Sequence, residues 1–143
     1  MSVLDIFKKN KSNITGIDHV AIIVKDMDRS LNFYHETVGL DILYDGRKQS
    51  KDKKSFLGNE EKSLIALTEN PGKNTGSQKD QSVSHIAFRV DELNKAVVRL
   101  QTKGVNFIEI KKNSEGRPVA YHFLDPDGFE LEIYNDKEKV APY

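Results

Sequence analysis

The sequence contains no cysteine, so disulfides, thiolate nucleophiles and thiolate metal sites are all excluded. It also lacks a long apolar run, since residues 20–24 form the longest and are far too short to cross a bilayer. An excess of either charge is missing as well, with 22 basic and 22 acidic residues, which gives no reason to expect a nucleic-acid or membrane partner. The N-terminal stretch has neither a long apolar segment nor a small-residue cleavage site, and we expect a cytoplasmic protein.

What is present is an internal repeat. Residues 18–34, "DHVAIIVKDMDRSLNFY", resemble residues 84–100, "SHIAFRVDELNKAVVRL", and the two histidines, His19 and His85, lie 66 positions apart. Each copy reads as a strand, a helix that stops near Gly39 or Gly104, and further strands. We therefore predict an N-terminal extension over residues 1–14, a first module over 15–70, a polar linker over 71–81 and a second module over 82–143.

Strand alternation selects the residues that share a face. His19 and His85 lie opposite the apolar face of their strands, and Glu130 and Glu132 alternate with apolar residues in "FELEI" near the end of the chain. Two imidazoles and one carboxylate with open positions suit Fe(II), Mn(II), Zn(II) or Ni(II). A lone strand histidine is more often a core or surface residue, but a histidine repeated at matching positions of a duplicated module favours a site.

Three stretches, "GIDHVAIIVKDMDRSLNFYHETVGLDI", "VSHIAFRVDELNKAV" and "FLDPDGFELEIY", together resemble the vicinal oxygen chelate superfamily. That group includes glyoxalase I, methylmalonyl-CoA epimerase, extradiol dioxygenases and fosfomycin-resistance thiol transferases. The resemblance implies an α+β fold of two paired βαβββ modules that form a curled mixed sheet around a central cleft. It also implies one divalent metal ion, a small-molecule substrate, for which a thiol compound is one option, and a homodimer. The implied ligands are His19, His85 and Glu132, with Glu130 as the backup ligand.

The departures from the family pattern bear on the reaction. By the internal repeat Ala66 corresponds to Glu132, and alanine cannot ligate, so the four-ligand site of glyoxalase I is incomplete. Glu69, three positions along the strand, falls on the opposite face unless a bulge brings it back. His122 stands where fosfomycin transferases and extradiol dioxygenases keep a tyrosine, with Tyr121 one place away.

Further residues receive roles that the sequence leaves open. If its strand face is the cleft, His122 is a candidate general acid or base; otherwise it is a half-buried strand histidine bonded to a neighbour. Arg89, four residues after His85 on the same face, is a candidate for holding an anionic substrate group or an exposed rim residue. Tyr121 is a further candidate substrate-binding residue.

The function that this pattern favours is a glyoxalase-like metalloenzyme that chelates an oxygenated small molecule and acts as a lyase, an isomerase or a thiol transferase. One alternative is a ring-cleaving dioxygenase that uses the same three ligands. The other alternative is a metal-free module that binds a small molecule or confers antibiotic resistance. The sequence leaves open whether the site forms within one chain or between exchanged modules.

Overall fold

The protein is described by a computed structural model that covers residues 17–48, 52–60, 62–72 and 83–135. Strands and helices follow one another as the repeat predicts, with a π-helical segment, Phe33–Thr37, after the first helix. The remaining elements are β1 (Val20–Val24), α1 (Met27–Asn32), β2 (Asp41–Asp45), β3 (Lys54–Asn59), β4 (Lys62–Glu69), β5 (His85–Arg89), α2 (Leu93–Thr102), β6 (Glu109–Lys112), β7 (Pro118–Leu124) and β8 (Glu130–Tyr134).

The strands form two four-stranded sheets of the same topology. Their orders are β1-β4-β3-β2 and β5-β8-β7-β6. In each sheet the first strand of the module pairs in parallel with the last, and the other neighbours are antiparallel. The predicted α+β fold of two βαβββ modules is thereby confirmed. The predicted extension, residues 1–14, and most of the predicted linker, residues 71–81, lie outside the described residues.

Polar side chains fix the start of α1. The Asp26 carboxylate accepts from the backbone N–H of Arg29 at 3.0 Å, and Glu69 accepts from the backbone N–H of Met27 at 2.8 Å. Both bonds satisfy N–H groups that the first turn of a helix leaves without a partner. Glu69 therefore lies on the helix side of its sheet, opposite the candidate site, as strand alternation predicts.

One face of each sheet is buried beneath the helices. Leu31 on α1 and Leu100 on α2 belong to the same cluster as the inward side chains of the strands, which in β1 and β8 alternate with exposed or half-buried ones as the sequence predicts. The opposite faces are only partly covered: Ile23 and Leu124 are 49% and 41% exposed, whereas His122 and Ala66 are buried. Among the described residues, no helix is both long enough and apolar enough to span a membrane.

The turn between β7 and β8 connects the two modules. Asp127 of the second module accepts from the backbone N–H of Lys25 and from the Arg29 guanidinium, both at 3.1 Å, and from the Ser30 hydroxyl at 3.4 Å. The Tyr34 hydroxyl donates to Asp125 at 2.8 Å. Both aspartates are buried. The turn therefore joins β7 to β8 and also packs against the first helix.

The environment of Asp125 is a balance of opposing effects. Burial raises the pKa of its carboxyl, whereas hydrogen bonds from the Tyr34 hydroxyl and from the backbone N–H groups of Phe129 and Asp127 lower it. Burial and the neighbouring Asp125 charge hold the pKa of Tyr34 well above its usual value, so the phenol remains the donor. Gly128 completes the turn at φ +83°, a conformation that an L side chain rarely adopts.

Candidate metal centre

The register of the two parallel strand pairs reproduces the correspondence between the modules. Ala21 pairs with Ala66 in the first sheet, and Ala87 pairs with Glu132 in the second. Since Ala21 and Ala87 each lie two residues after the repeated histidine, Ala66 occupies the place of Glu132. The first module therefore offers a methyl group where the second offers a carboxylate.

In the second sheet the structure brings two histidines and two glutamates together. His85 Nε2 lies 2.9 Å from Glu132 Oε2, and His122 Nε2 lies 3.4 Å from the same oxygen. His122 Nδ1 is 3.0 Å from Glu130 Oε2, and the two imidazole rings are 5.3 Å apart and roughly edge to face. His122 thus faces the predicted cleft, and it is 1% exposed rather than half-buried.

His19, the ligand predicted in the first module, lies apart from this cluster. Its Nδ1 is 2.7 Å from Asp18 Oδ2, and its ring meets Phe56 edge-on at 5.5 Å. Within the described ranges no three His, Asp or Glu side chains form a ready-made group for a metal ion. The structure therefore brings His85 and Glu132 into contact, and it shows His19 in contact with Asp18 and Phe56 rather than with either of them.

The three histidines share one arrangement of ring nitrogens. Each Nδ1 has an oxygen partner: Asp18 for His19, the Ser84 hydroxyl at 3.0 Å for His85, and Glu130 for His122. A carboxylate partner such as Asp18 or Glu130 accepts the Nδ1 proton and leaves Nε2 as the nitrogen that can ligate, whereas the Ser84 hydroxyl, which can donate or accept, orients the His85 ring. The donor set of imidazole nitrogens beside the Glu132 carboxylate therefore fits a divalent first-row metal.

Sequence reasoning missed these outer partners, although one signal was present. Asp18 and Ser84 come immediately before the repeated histidines, so each copy of the repeat begins with an oxygen-bearing residue and a histidine. Glu130 was predicted as a backup ligand, and the structure places its carboxylate on His122 as well as 3.8 Å from His85 Nδ1. No comparable signal marks Glu130 as the partner of His122.

The two predicted substrate-binding residues are placed differently. Arg89 is exposed on the same strand as His85 and lines a cavity of about 750 Å³ at the junction of the modules, which His19 and Arg99 also line. Tyr121 packs against Phe107, with ring centres 4.9 Å apart, and contributes to the core on the helix side. The alternation that turns His122 toward the cleft turns Tyr121 away from it.

The family profile described as Glyoxalase/Bleomycin resistance protein/Dioxygenase superfamily matches residues 16–133. The chain belongs to this superfamily. It is 29% identical to a lactoylglutathione lyase of Schizosaccharomyces pombe over 85% of this chain and 48% of the lyase, so it spans about half the length of that relative. It is 28% identical to the fosfomycin resistance protein FosX of Listeria monocytogenes, over 91% of this chain and 98% of FosX.

Solved structures of the superfamily share the fold. A glyoxalase/dioxygenase from Nostoc punctiforme superposes with a TM-score of 0.71 at 23% identity, over 90% of this chain and 96% of the other. A mutant of the Listeria FosX, crystallised with Mn(II) and 1S,2S-dihydroxypropylphosphonic acid, superposes with a TM-score of 0.63 at 23% identity, over 85% and 90% of the chains. These likenesses establish the fold of two modules.

Proposed function

We propose that the protein is a glyoxalase-like metalloenzyme that holds one divalent ion through His19, His85 and Glu132. The observation that carries the proposal is that the two repeated histidines, His19 and His85, each have Nδ1 bonded to an oxygen of the preceding residue, while His85 Nε2 faces the Glu132 carboxylate. The contact of 2.9 Å between His85 Nε2 and Glu132 adds a preformed pair of donors. The identity of the ion stays open among Fe, Mn, Zn and Ni.

The substrate class in this proposal is an oxygenated small molecule, and the reaction is of the lyase, isomerase or thiol-transfer type. Its support comes from relatives that are a lactoylglutathione lyase and a fosfomycin resistance protein. When bound, a divalent ion at such a site supplies a Lewis acid that stabilises charge on a substrate oxygen. The chain itself would orient the donors through Asp18, Ser84 and Glu130, and Arg89 would receive an anionic group of the substrate.

The site would be completed by a second copy of the chain. Two observations support a homodimer: His19 does not join His85 and Glu132 within one chain, and the sheet faces that carry these donors expose Ile23 and Leu124. A second copy packed on these faces would cover Ile23 and Leu124. The partner's His19 would then meet His85 and Glu132, with the same contact repeated in the second site of a symmetric pair.

A metal-free binding module is the second candidate. Ala66, buried and without a donor, and the separation of His19 from the other donors are the observations that favour it. In such a protein the cleft between the modules would hold a small molecule by shape and apolar contact. Two imidazoles that face one carboxylate oxygen, His85 Nε2 at 2.9 Å and His122 Nε2 at 3.4 Å from Glu132 Oε2, have no use in that function, and for this reason we place it second.

Metal loading of the wild type and of two histidine variants distinguishes the metalloenzyme from the metal-free binding module. Protein purified without chelator is loaded with Mn(II), Zn(II) or Ni(II), and bound metal and thermal stability are measured for the wild type, His85→Ala and the control His35→Ala. His35 is a matched control because its Nδ1 bonds the backbone oxygen of Leu40 outside the site. We expect metal to stabilise the wild type and the control by several degrees, and His85→Ala to lose this stabilisation.

The same proteins are then screened with oxygenated compounds. A hemithioacetal, fosfomycin with a thiol, and a catechol represent the lyase, thiol-transfer and ring-cleaving reactions, and a bulky antibiotic represents sequestration. Turnover of the first or second compound that requires metal supports the proposal. Metal-dependent cleavage of the catechol would assign the dioxygenase alternative, and stabilisation by the antibiotic in chelator-treated protein would assign the binding module.

A further inference from the structure

His122 has a buried ring nitrogen that the fold leaves without a partner. The Nδ1 atom of this histidine is hydrogen-bonded to Glu130, whereas its buried Nε2 atom has no hydrogen-bond partner in the structure. Buried polar atoms in folded proteins are nearly always satisfied by protein, water or an ion. The direction of Nε2 is therefore informative: it faces Glu132 Oε2 at 3.4 Å, outside hydrogen-bonding geometry.

The contact between His122 Nε2 and Glu132 Oε2 requires a proton or a cation between or beside the two atoms. If the Nδ1 proton is donated to Glu130, Nε2 carries a bare lone pair that faces a carboxylate oxygen. Two such acceptors repel each other unless a second proton on the ring or a cation is shared between them. The charge of the adjacent Glu130 and Glu132 carboxylates favours a cation at this place.

The separations suit two ligands of one metal ion. Ligands about 2.0–2.2 Å from a first-row ion and about 90–110° apart lie roughly 2.8–3.6 Å from each other. The distances from Glu132 Oε2 to His85 Nε2, 2.9 Å, and to His122 Nε2, 3.4 Å, both fall in that range. The three donors do not yet form a ready-made group, so the two rings have to turn toward a common point beside the Glu132 oxygen.

We infer that His122 is a further metal ligand, through Nε2, in the centre formed by His19, His85 and Glu132, and that Glu130 is its positioning residue. This inference rests on the proposed metal function. Ala66 gives the first module no ligand at the place of Glu132, and His122 would supply an additional ligand from the second module. A ligand role fits the burial of His122, whose side chain is 2% exposed and adjoins Glu132.

The decisive measurement is the number of imidazole ligands on Zn(II), obtained by X-ray absorption spectroscopy of the loaded wild-type protein, together with the Zn(II) affinity in competition with a chelator. We expect three imidazoles in the wild type and two in His122→Gln. The affinity should fall by at least about 10–100-fold in His122→Gln, the range seen when even an outer partner is lost. Glu130→Gln should keep three imidazoles and weaken binding less, because Glu130 orients the imidazoles and is not itself a ligand in this arrangement.

The outcomes separate this inference from the proposed function. Two imidazoles in the wild type that fall to one in His19→Ala, or the same count and affinity in His122→Gln as in the wild type, would overturn the ligand role of His122 and leave the metal centre intact. A wild-type protein that binds no Zn(II), Mn(II) or Ni(II) would overturn both. The wild-type count requires no variant to fold, and His35→Gln serves as the control for the loss of a histidine elsewhere.

Discussion

Replacing Tyr34 with phenylalanine tests the contact that joins the modules. The tyrosine is 0% exposed, and its hydroxyl donates to Asp125 Oδ2 at 2.8 Å, while the backbone N–H groups of Asp127 and Phe129 donate to Oδ1. Phenylalanine keeps the ring contact with Phe33 and removes only the hydroxyl. A hydrogen bond to a charged group contributes about 1.5–3 kcal/mol, so we expect the free energy of unfolding at pH 7 to fall by about 2 kcal/mol.

The assay is urea denaturation of the wild type, Tyr34→Phe and the control Tyr44→Phe. Tyr44 also donates to an aspartate, Asp52, but at 3.3 Å and on the exposed surface, so its loss should change stability by less than about 0.5 kcal/mol. Midpoints are compared at equal slope, since a changed slope would signal a different unfolded or folded state. If Tyr34→Phe were no more destabilising than Tyr44→Phe, the buried Tyr34–Asp125 bond would not hold the turn in place.

Two further predictions concern acid titration and the second copy of the chain. Burial raises the folded-state pKa of Asp125 above its unfolded value, so the folded protein binds more protons there. The stability of the wild type relative to Asp125→Asn should therefore rise as the pH falls from about 7 toward 4. Urea midpoints of the two proteins that differ equally at every pH would contradict this. If a site is shared between two copies, unfolding His19→Ala and His85→Ala together and refolding them should restore one intact metal site in each mixed dimer. Competition with a chelator detects the restored site. A site within one chain would give no restoration.

The sequence predicts the fold and the faces well because both depend on local periodicity. Alternation in β1 and β8 separates the buried residues from the exposed or half-buried ones, and the repeat relates the two modules position by position. For the same reason the correspondence between Ala66 and Glu132 follows from counting along the repeat. A two-residue period also places Tyr121 opposite His122, which the structure shows in the packing of Tyr121 on Phe107.

Contacts between residues distant in the chain carry no such signal. The bond from the backbone of Lys25 to Asp127 spans 102 positions, and no periodicity in "DPDG" indicates that its carboxylates meet α1. The sequence therefore predicts a bend there and misses the contact between modules. The pairing of His122 with Glu130 depends on the antiparallel register of β7 and β8, which is visible only once the strands are paired.

The metal content of the wild-type protein is the measurement that tests the central claim most directly. The protein is purified without chelator, stripped, reloaded with a divalent ion and dialysed, and the bound metal per chain is determined by mass spectrometry. We predict close to one ion per chain for the wild type and for His35→Ala, and a large loss for His85→Ala. A wild-type protein that retains no more metal than His85→Ala after reloading with Mn(II), Zn(II), Ni(II) or anaerobic Fe(II) would contradict the account.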